Sequence, residues 1–109
     1  MFYYPLSSLL IECLILSMVE REDSYGYQIS QSVKLVSNIK ESTLYPILRK
    51  LVQKGCLTTY NQEFQGRNRK YYSITESGKE ELLFLKKEWQ EYYHTIDDII
   101  EGRLPRDEK

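Results

Sequence analysis

Between residues 42 and 55 the apolar and polar side chains separate so cleanly that one element, an amphipathic helix with two distinct faces, accounts for them. Leu44, Ile47, Leu48, Leu51 and Val52 recur at the spacing of a single helical face, and Ser42, Tyr45, Pro46, Arg49, Lys50 and Gln53 share the opposite one. That opposite face holds two bases and no acid. Ser42 or Thr43 is the expected N-cap, with Pro46 within or beside the first turn, where its missing N–H is tolerated. Lys54 and Gly55 end the helix, the first as a cation near the last carbonyls, the second as a residue suited to left-handed backbone.

The flanking segments narrow the fold. A first helix opens at Pro5 or Ser7 and runs to about Arg21; its apolar residues surround the axis, so it must be covered on more than one side. In a chain of 109 residues a partner subunit is the natural source of that cover. Glu22-Asp23-Ser24 then caps a second helix reaching about Val36, anchored by Tyr25, Ile29, Val33 and Val36, and residues 37–40 form the turn into the third. After Gly55 come two short strands rich in Thr, Tyr and Ile, about Leu57 to Asn61 and about Arg69 to Thr75, connected through Gln62 to Asn68. Thr75 or Ser77 caps a last helix to about Glu101, with Ser77 and Glu80 at capping-box spacing. Along it Leu82, Leu85, Trp89, Tyr92, Ile96 and Ile99 step by alternating threes and fours, an a/d seam that requires a second helix.

The total charge conceals where the charge lies. Fifteen bases against sixteen acids leave −1. Residues 1–33 carry one base and four acids, residues 34–79 nine bases and three acids, and residues 80–109 five bases and nine acids, so −3, +6 and −4 follow one another along the chain. The basic block coincides with the third helix and the two strands, the electrostatic footprint of a polyanion partner.

Composition excludes other classes. With 41% hydrophobic residues and little net charge, the chain folds as one small domain rather than remaining disordered. Cys13 and Cys56 make no disulfide framework, and His94 is remote from both, so neither a metal nor another cofactor is expected. No nucleophile or paired acid and base stands at a recognisable spacing, which argues against an enzyme. The run Leu9 to Val19, interrupted by Glu12 and Ser17, is too short to span a membrane, and the N-terminus lacks the basic region of a secretory signal. A cytoplasmic protein is expected.

Helix, helix, turn, helix, strand, basic connection, strand is the order of a winged helix-turn-helix. The expected fold class is therefore mainly α with a small β-hairpin, plus a long C-terminal dimerisation helix. Residues 1–78 form the DNA-binding domain in this reading, 79–101 the dimerisation helix and 102–109 a flexible tail. In such a domain the third helix enters the major groove of double-stranded DNA, which puts Ser42, Thr43, Tyr45, Pro46, Arg49 and Lys50 on the groove side. Arg49 has the fork for guanine, whereas Lys50 and Lys54 suit phosphates. Arg67, Asn68, Arg69 and Lys70 on the wing add phosphate contacts. A winged helix that serves as a protein-protein interaction module is the alternative that patterning leaves open.

Three phrases also carry a family likeness. Ser24-Tyr25-Gly26-Tyr27-Gln28-Ile29, then Ser42-Thr43-Leu44-Tyr45-Pro46-Ile47-Leu48 with Leu51 and Gly55, then Gly66-Arg67 leading to Arg69-Lys70-Tyr71-Tyr72-Ser73-Ile74-Thr75 and Gly78, resemble the PadR family of bacterial transcriptional regulators over roughly residues 8 to 100. The single C-terminal helix resembles the short subclass. The resemblance implies a homodimer, joined through the last and first helices, that binds an inverted repeat and usually represses. For some short members it also implies a planar or aromatic effector in an apolar chamber at the dimer interface, stacked on a tryptophan of the last helix. Leu85, Trp89, Tyr92, Tyr93 and Ile96 occupy the comparable stretch here, as dimer interface or effector pocket. The acidic, tyrosine-rich N-terminus departs from the family pattern.

Overall fold

A computed structural model describes residues 4–103 of the chain. Helix α1 (Ser8–Arg21) starts where the Ser7 hydroxyl accepts the N–H of Leu10 at 3.1 Å, and its apolar girdle puts Ile11, Cys13, Ile15, Leu16 and Val19 into the core. Strand β1 (Ser24–Tyr25), helix α2 (Gly26–Val33), helix α3 (Glu41–Gln53), strands β2 (Leu57–Phe64) and β3 (Arg67–Ile74) and helix α4 (Glu76–Glu101) follow. The architecture is mainly helical, with a small antiparallel sheet of order β1-β3-β2 and a long C-terminal helix. Ile29 and Val33 of α2, Leu44, Leu48 and Leu51 of α3, Leu57 and Tyr72 of the sheet and Leu82 and Leu85 of α4 join α1 in one buried cluster.

The second helix is shorter than its periodicity predicts. Ser24 and Tyr25 are strand residues paired with Tyr72 and Tyr71, and the Tyr25 N–H donates to the Gln28 carboxamide at 3.4 Å, so α2 begins at Gly26. At the other end Leu35 and Val36 are exposed in a turn; Ile39, not Val36, is buried.

Helix α3 begins earlier than Ser42 or Thr43. Lys40 is its N-cap residue, with a carbonyl that accepts the N–H groups of Thr43 and Leu44, and the Glu41 carboxylate accepts from Ser30 and Lys34. An anion at the first helical position complements the positive helix end. Its own backbone N–H and then Lys34 hold the Glu41 carboxyl below its ordinary value. Ser42 and Thr43 consequently lie inside the first turn, and Pro46 lies beyond it, without an N–H to offer the Ser42 carbonyl.

The wing is longer than the two short runs predict. Strands β2 and β3 pair from Leu57 with Ile74 to Phe64 with Arg67, and only Gln65 and Gly66 turn the chain. Both have positive φ, 52° and 78°, as a type I′ hairpin requires. Most of Gln62 to Asn68 is therefore strand and not loop. At the start of α4 the cap is Thr75 instead of Ser77: its hydroxyl accepts the Gly78 N–H at 2.9 Å and donates to the Gly55 carbonyl at 2.6 Å. Gly78 itself lies so close to the Cys56 carbonyl that a Cβ would overlap it, which fixes the root of α4 on the end of α3. Gly102 closes α4 in left-handed backbone at φ 71°. The flexible tail expected over 102–109 lies outside the described residues from residue 104 onward, as do Met1, Phe2 and Tyr3 of the N-terminal departure.

Candidate nucleic-acid interface

Because Leu44, Ile47, Leu48 and Leu51 bury one side of α3, the other side must face outward, and Ser42, Thr43, Tyr45, Pro46, Arg49 and Lys50 are all exposed. The two bases differ in their surroundings. Arg49 has no carboxylate partner among the described residues. Lys50, by contrast, places Nζ 3.3 Å from Oε2 of Glu12 on α1. Lys54, about one turn further along, lies 3.7 Å from Oε1 of the same carboxylate and 3.6 Å from Glu81 of α4.

Arg49 lines an open cleft of about 490 Å³ between α3 and the sheet. Tyr45, Arg49 and Val52 form one wall, Thr59, Arg69, Lys70 and Tyr72 the other, and Tyr25, Gly26 and Tyr27 close the end nearest α2. No acid lines it. The cleft exists because β1 pairs only with Tyr71 and Tyr72, which leaves the edge of β3 free at Arg69 and Lys70. At Gly26 a Cβ would come within 3.3 Å of the Tyr45 ring, so the bare backbone there lets Tyr45 lie against the start of α2. Burial, and then Tyr45, push the Tyr72 phenol above its ordinary value against the opposing pull of Arg49, so it remains a neutral hydroxyl at neutral pH.

Strand alternation divides the wing. Arg67 and Arg69 share one face with Tyr71, while Asn68 and Lys70 share the other with buried Tyr72. Arg67 and Asn68 are exposed next to the turn. Arg69 is held between two rings, its guanidinium carbon 4.3 Å from the centroid of Tyr25 and 4.1 Å from that of Phe64. On the same face Tyr71 stacks on Tyr60 with centroids 5.5 Å apart and meets Tyr25 edge-on at the same distance. The Tyr60 hydroxyl donates to Asp23 at 2.8 Å, a bond that raises its phenol above the ordinary value. Wing and helix-turn-helix are thereby joined by an aromatic clamp.

The residues expected at a dimer interface or effector pocket divide between core and surface. Leu85 is buried, whereas Trp89, Tyr92, Tyr93 and Ile96 are exposed. The Trp89 ring lies 6.3 Å from that of Tyr92 and 5.8 Å from that of Tyr93. Past Leu85 the a/d seam therefore leaves the domain uncovered, on a helix about 39 Å long. Among the described residues no cluster of three or more His, Cys, Asp or Glu could hold a metal ion, and no helix is long and apolar enough to cross a membrane.

Sequence reasoning missed Glu12, Asp23, Tyr25 and Phe64. An acid inside an otherwise apolar helix is a detectable signal that a counter-charge faces it; the other three carry no local mark, because their partners are distant in the chain.

Two helices joined by a turn, the second with an exposed polar face, followed by a two-stranded wing whose bases have no carboxylate partner among the described residues, define a winged helix-turn-helix DNA-binding protein. The chain belongs to the transcriptional regulator PadR-like family, whose model matches residues 15–83. It is accordingly a DNA-binding transcriptional regulator and not an enzyme. A solved structure from Streptococcus mutans is 60% identical and superposes with a TM-score of 0.93 over 97% of this chain and 100% of that one. A PadR family transcription regulator from Clostridium difficile is 32% identical, with a TM-score of 0.76 over 83% of this chain and 97% of its own. A Lysinibacillus sphaericus protein described as uncharacterized is 39% identical over 84% of this chain and 89% of its own length.

Proposed function

We propose that the protein is a homodimeric repressor whose two α3 helices read an inverted repeat in double-stranded DNA. The observation that carries this reading is the set Arg49, Arg67, Arg69 and Lys70: four bases on α3 and the adjoining wing, none of them paired with a carboxylate among the described residues. Ser42, Thr43, Tyr45 and Pro46 complete the groove-side surface with Asn68 at the wing, while Lys50, paired with Glu12, stands beside that surface without a proposed DNA contact. Residues 1–78 carry DNA binding in this assignment and residues 79–101 dimerisation, the first turns of α4 also closing the core through Leu82 and Leu85. The uncovered seam at Trp89, Tyr92, Ile96 and Ile99 supports the dimer. Two-fold symmetry then calls for half-sites about one helical turn apart. The compartment proposed is the cytoplasm, where bacterial DNA lies.

Titration of the full-length chain on its own promoter fragment tests this. If a dimer neutralises about six phosphates, affinity falls by roughly a thousandfold between about 50 and 200 mM salt. A promoter bound no better than unrelated duplex defeats the reading in favour of a protein-protein interaction module.

The finer part of the proposal is an effector. Trp89, flanked by Tyr92 and Tyr93, offers an exposed planar surface to which a small aromatic molecule binds at the dimer interface, releasing the operator by coupling the two sites. Candidate aromatics are expected to quench Trp89 fluorescence and weaken operator binding at the same concentrations. Quenching with unaltered operator affinity reduces the surface to an incidental one.

A further inference from the structure

Among the described residues Glu12 is the one buried carboxylate, 2% exposed in the middle of α1. Its Oε2 accepts a hydrogen bond from Lys50 at 3.3 Å, while Oε1 has no hydrogen-bond partner among the described residues and lies 3.7 Å from Lys54. Removing a carboxylate from water is costly, and an incompletely satisfied ion pair returns less than that cost. An apolar or amide side chain of the same shape would serve the core at least as well. The arrangement is therefore poorly explained by stability.

Its effect on α3 is specific. Lys50 and Lys54 lie on the flank of the helix next to the exposed face, and their side chains are 59% and 39% exposed, so the fold itself confines neither. The Glu12 carboxylate restrains Lys50, and together with Glu81 it restrains Lys54. A lysine on a flexible stem finds a phosphate in any register of any duplex, and a contact of that kind adds affinity without sequence information. We propose that Glu12 is a specificity-determining residue: by holding Lys50, and by sharing Lys54 with Glu81, it keeps sequence-blind phosphate contacts off DNA, so that α3 meets the groove through Arg49. The inference rests on the assignment of α3 to the groove.

The test compares the wild-type chain, Glu12→Gln, Lys50→Gln and the triple variant Glu12→Gln/Lys50→Gln/Lys54→Gln on promoter and unrelated duplex across a salt series. Glu12→Gln is expected to bind unrelated duplex more tightly, with a slope of log affinity against log salt steeper by about 1.8, from Lys50 freed on each protomer while Lys54 stays with Glu81. The ratio of promoter to unrelated binding should narrow, and the triple variant should return the slope to the wild-type value. Loss of the Glu12 charge raises affinity for a polyanion by itself, so the steeper slope and its return in the triple variant, not affinity alone, distinguish this role from packing. Lys50→Gln keeps Glu12 in place and guards against misfolding of the first variant: it should leave the wild-type slope unchanged, and a slope shallower by about 1.8 overturns the proposal. An unaltered slope in folded Glu12→Gln also overturns it, provided Arg49→Ala weakens promoter binding. If Arg49→Ala leaves promoter binding intact as well, the assignment of α3 fails and the proposal falls with it.

Discussion

Replacing Ile96 with aspartate is expected to yield a folded monomer that binds a two-half-site operator about 100-fold more weakly, or worse, than the wild-type chain. Ile96 is 39% exposed in the single chain and lies beyond Leu85, the last buried residue of α4, so the new carboxylate meets no core within the protomer. In a dimer closed along Trp89, Tyr92, Ile96 and Ile99 it would instead enter an apolar seam twice, once from each copy. Burying two like charges there is strongly unfavourable. The affinity loss follows from symmetry: a dimer engages its second half-site from an already bound state, and a monomer does not. Sedimentation at micromolar concentration, thermal unfolding and an operator titration measure the three parts separately. A variant that remains dimeric removes the seam from the interface, and a monomer with undiminished operator affinity removes the two-half-site reading.

Arg49→Ala is expected to lose about 1 to 3 kcal/mol of operator binding and to relax base preference at one position in each half-site. Alanine leaves the buried face of α3 untouched, and an exposed substitution of this kind changes folding stability by about 0.5 kcal/mol or less. The effect is concentrated on Arg49 because its neighbour Lys50 already faces Glu12. Anisotropy titrations against operators altered one base pair at a time measure both the loss and its position. Equal affinity for every altered operator, with the wild-type value retained, would shift recognition from α3 to the wing.

What was legible in the sequence follows from where burial is one-sided. Helix α3 has a clean apolar face, so its existence, its inward residues and its outward ones are all visible in the spacing of Leu44, Ile47, Leu48 and Leu51. Its first residue is not, because Ser42 and Thr43 are such favourable caps that they obscure the Glu41 contacts with Ser30 and Lys34, which come from another helix. The length of the wing is hidden for the opposite reason. After Leu57 every residue of β2 is exposed, and a strand with both faces in solvent leaves no alternation to read. Strand β1 has two residues and no period at all. The a/d seam of α4 was legible as a seam, though not how it is shared: Leu82 and Leu85 serve the chain's own core before Trp89 emerges. Of the candidate site, the basic cluster was visible as charge, but the surroundings of its members were not. Arg69 lies between Tyr25 and Phe64, and Lys50 faces Glu12, contacts that sequence separation hides.

The clamp of Tyr25 and Phe64 around Arg69, with β1 hydrogen-bonded to the root of the wing, sets the reach of the hairpin from α3. A loose wing would adapt to whatever backbone it met and lose conformational freedom on each encounter. A wing tied in this way behaves more like a caliper, with jaws at Arg49 and Lys70 on either side of one cleft. In the proposed complex such a gauge would respond to the width and stiffness of the duplex as well as to its bases, so that changes in sequence no side chain touches would still enter the affinity through DNA shape.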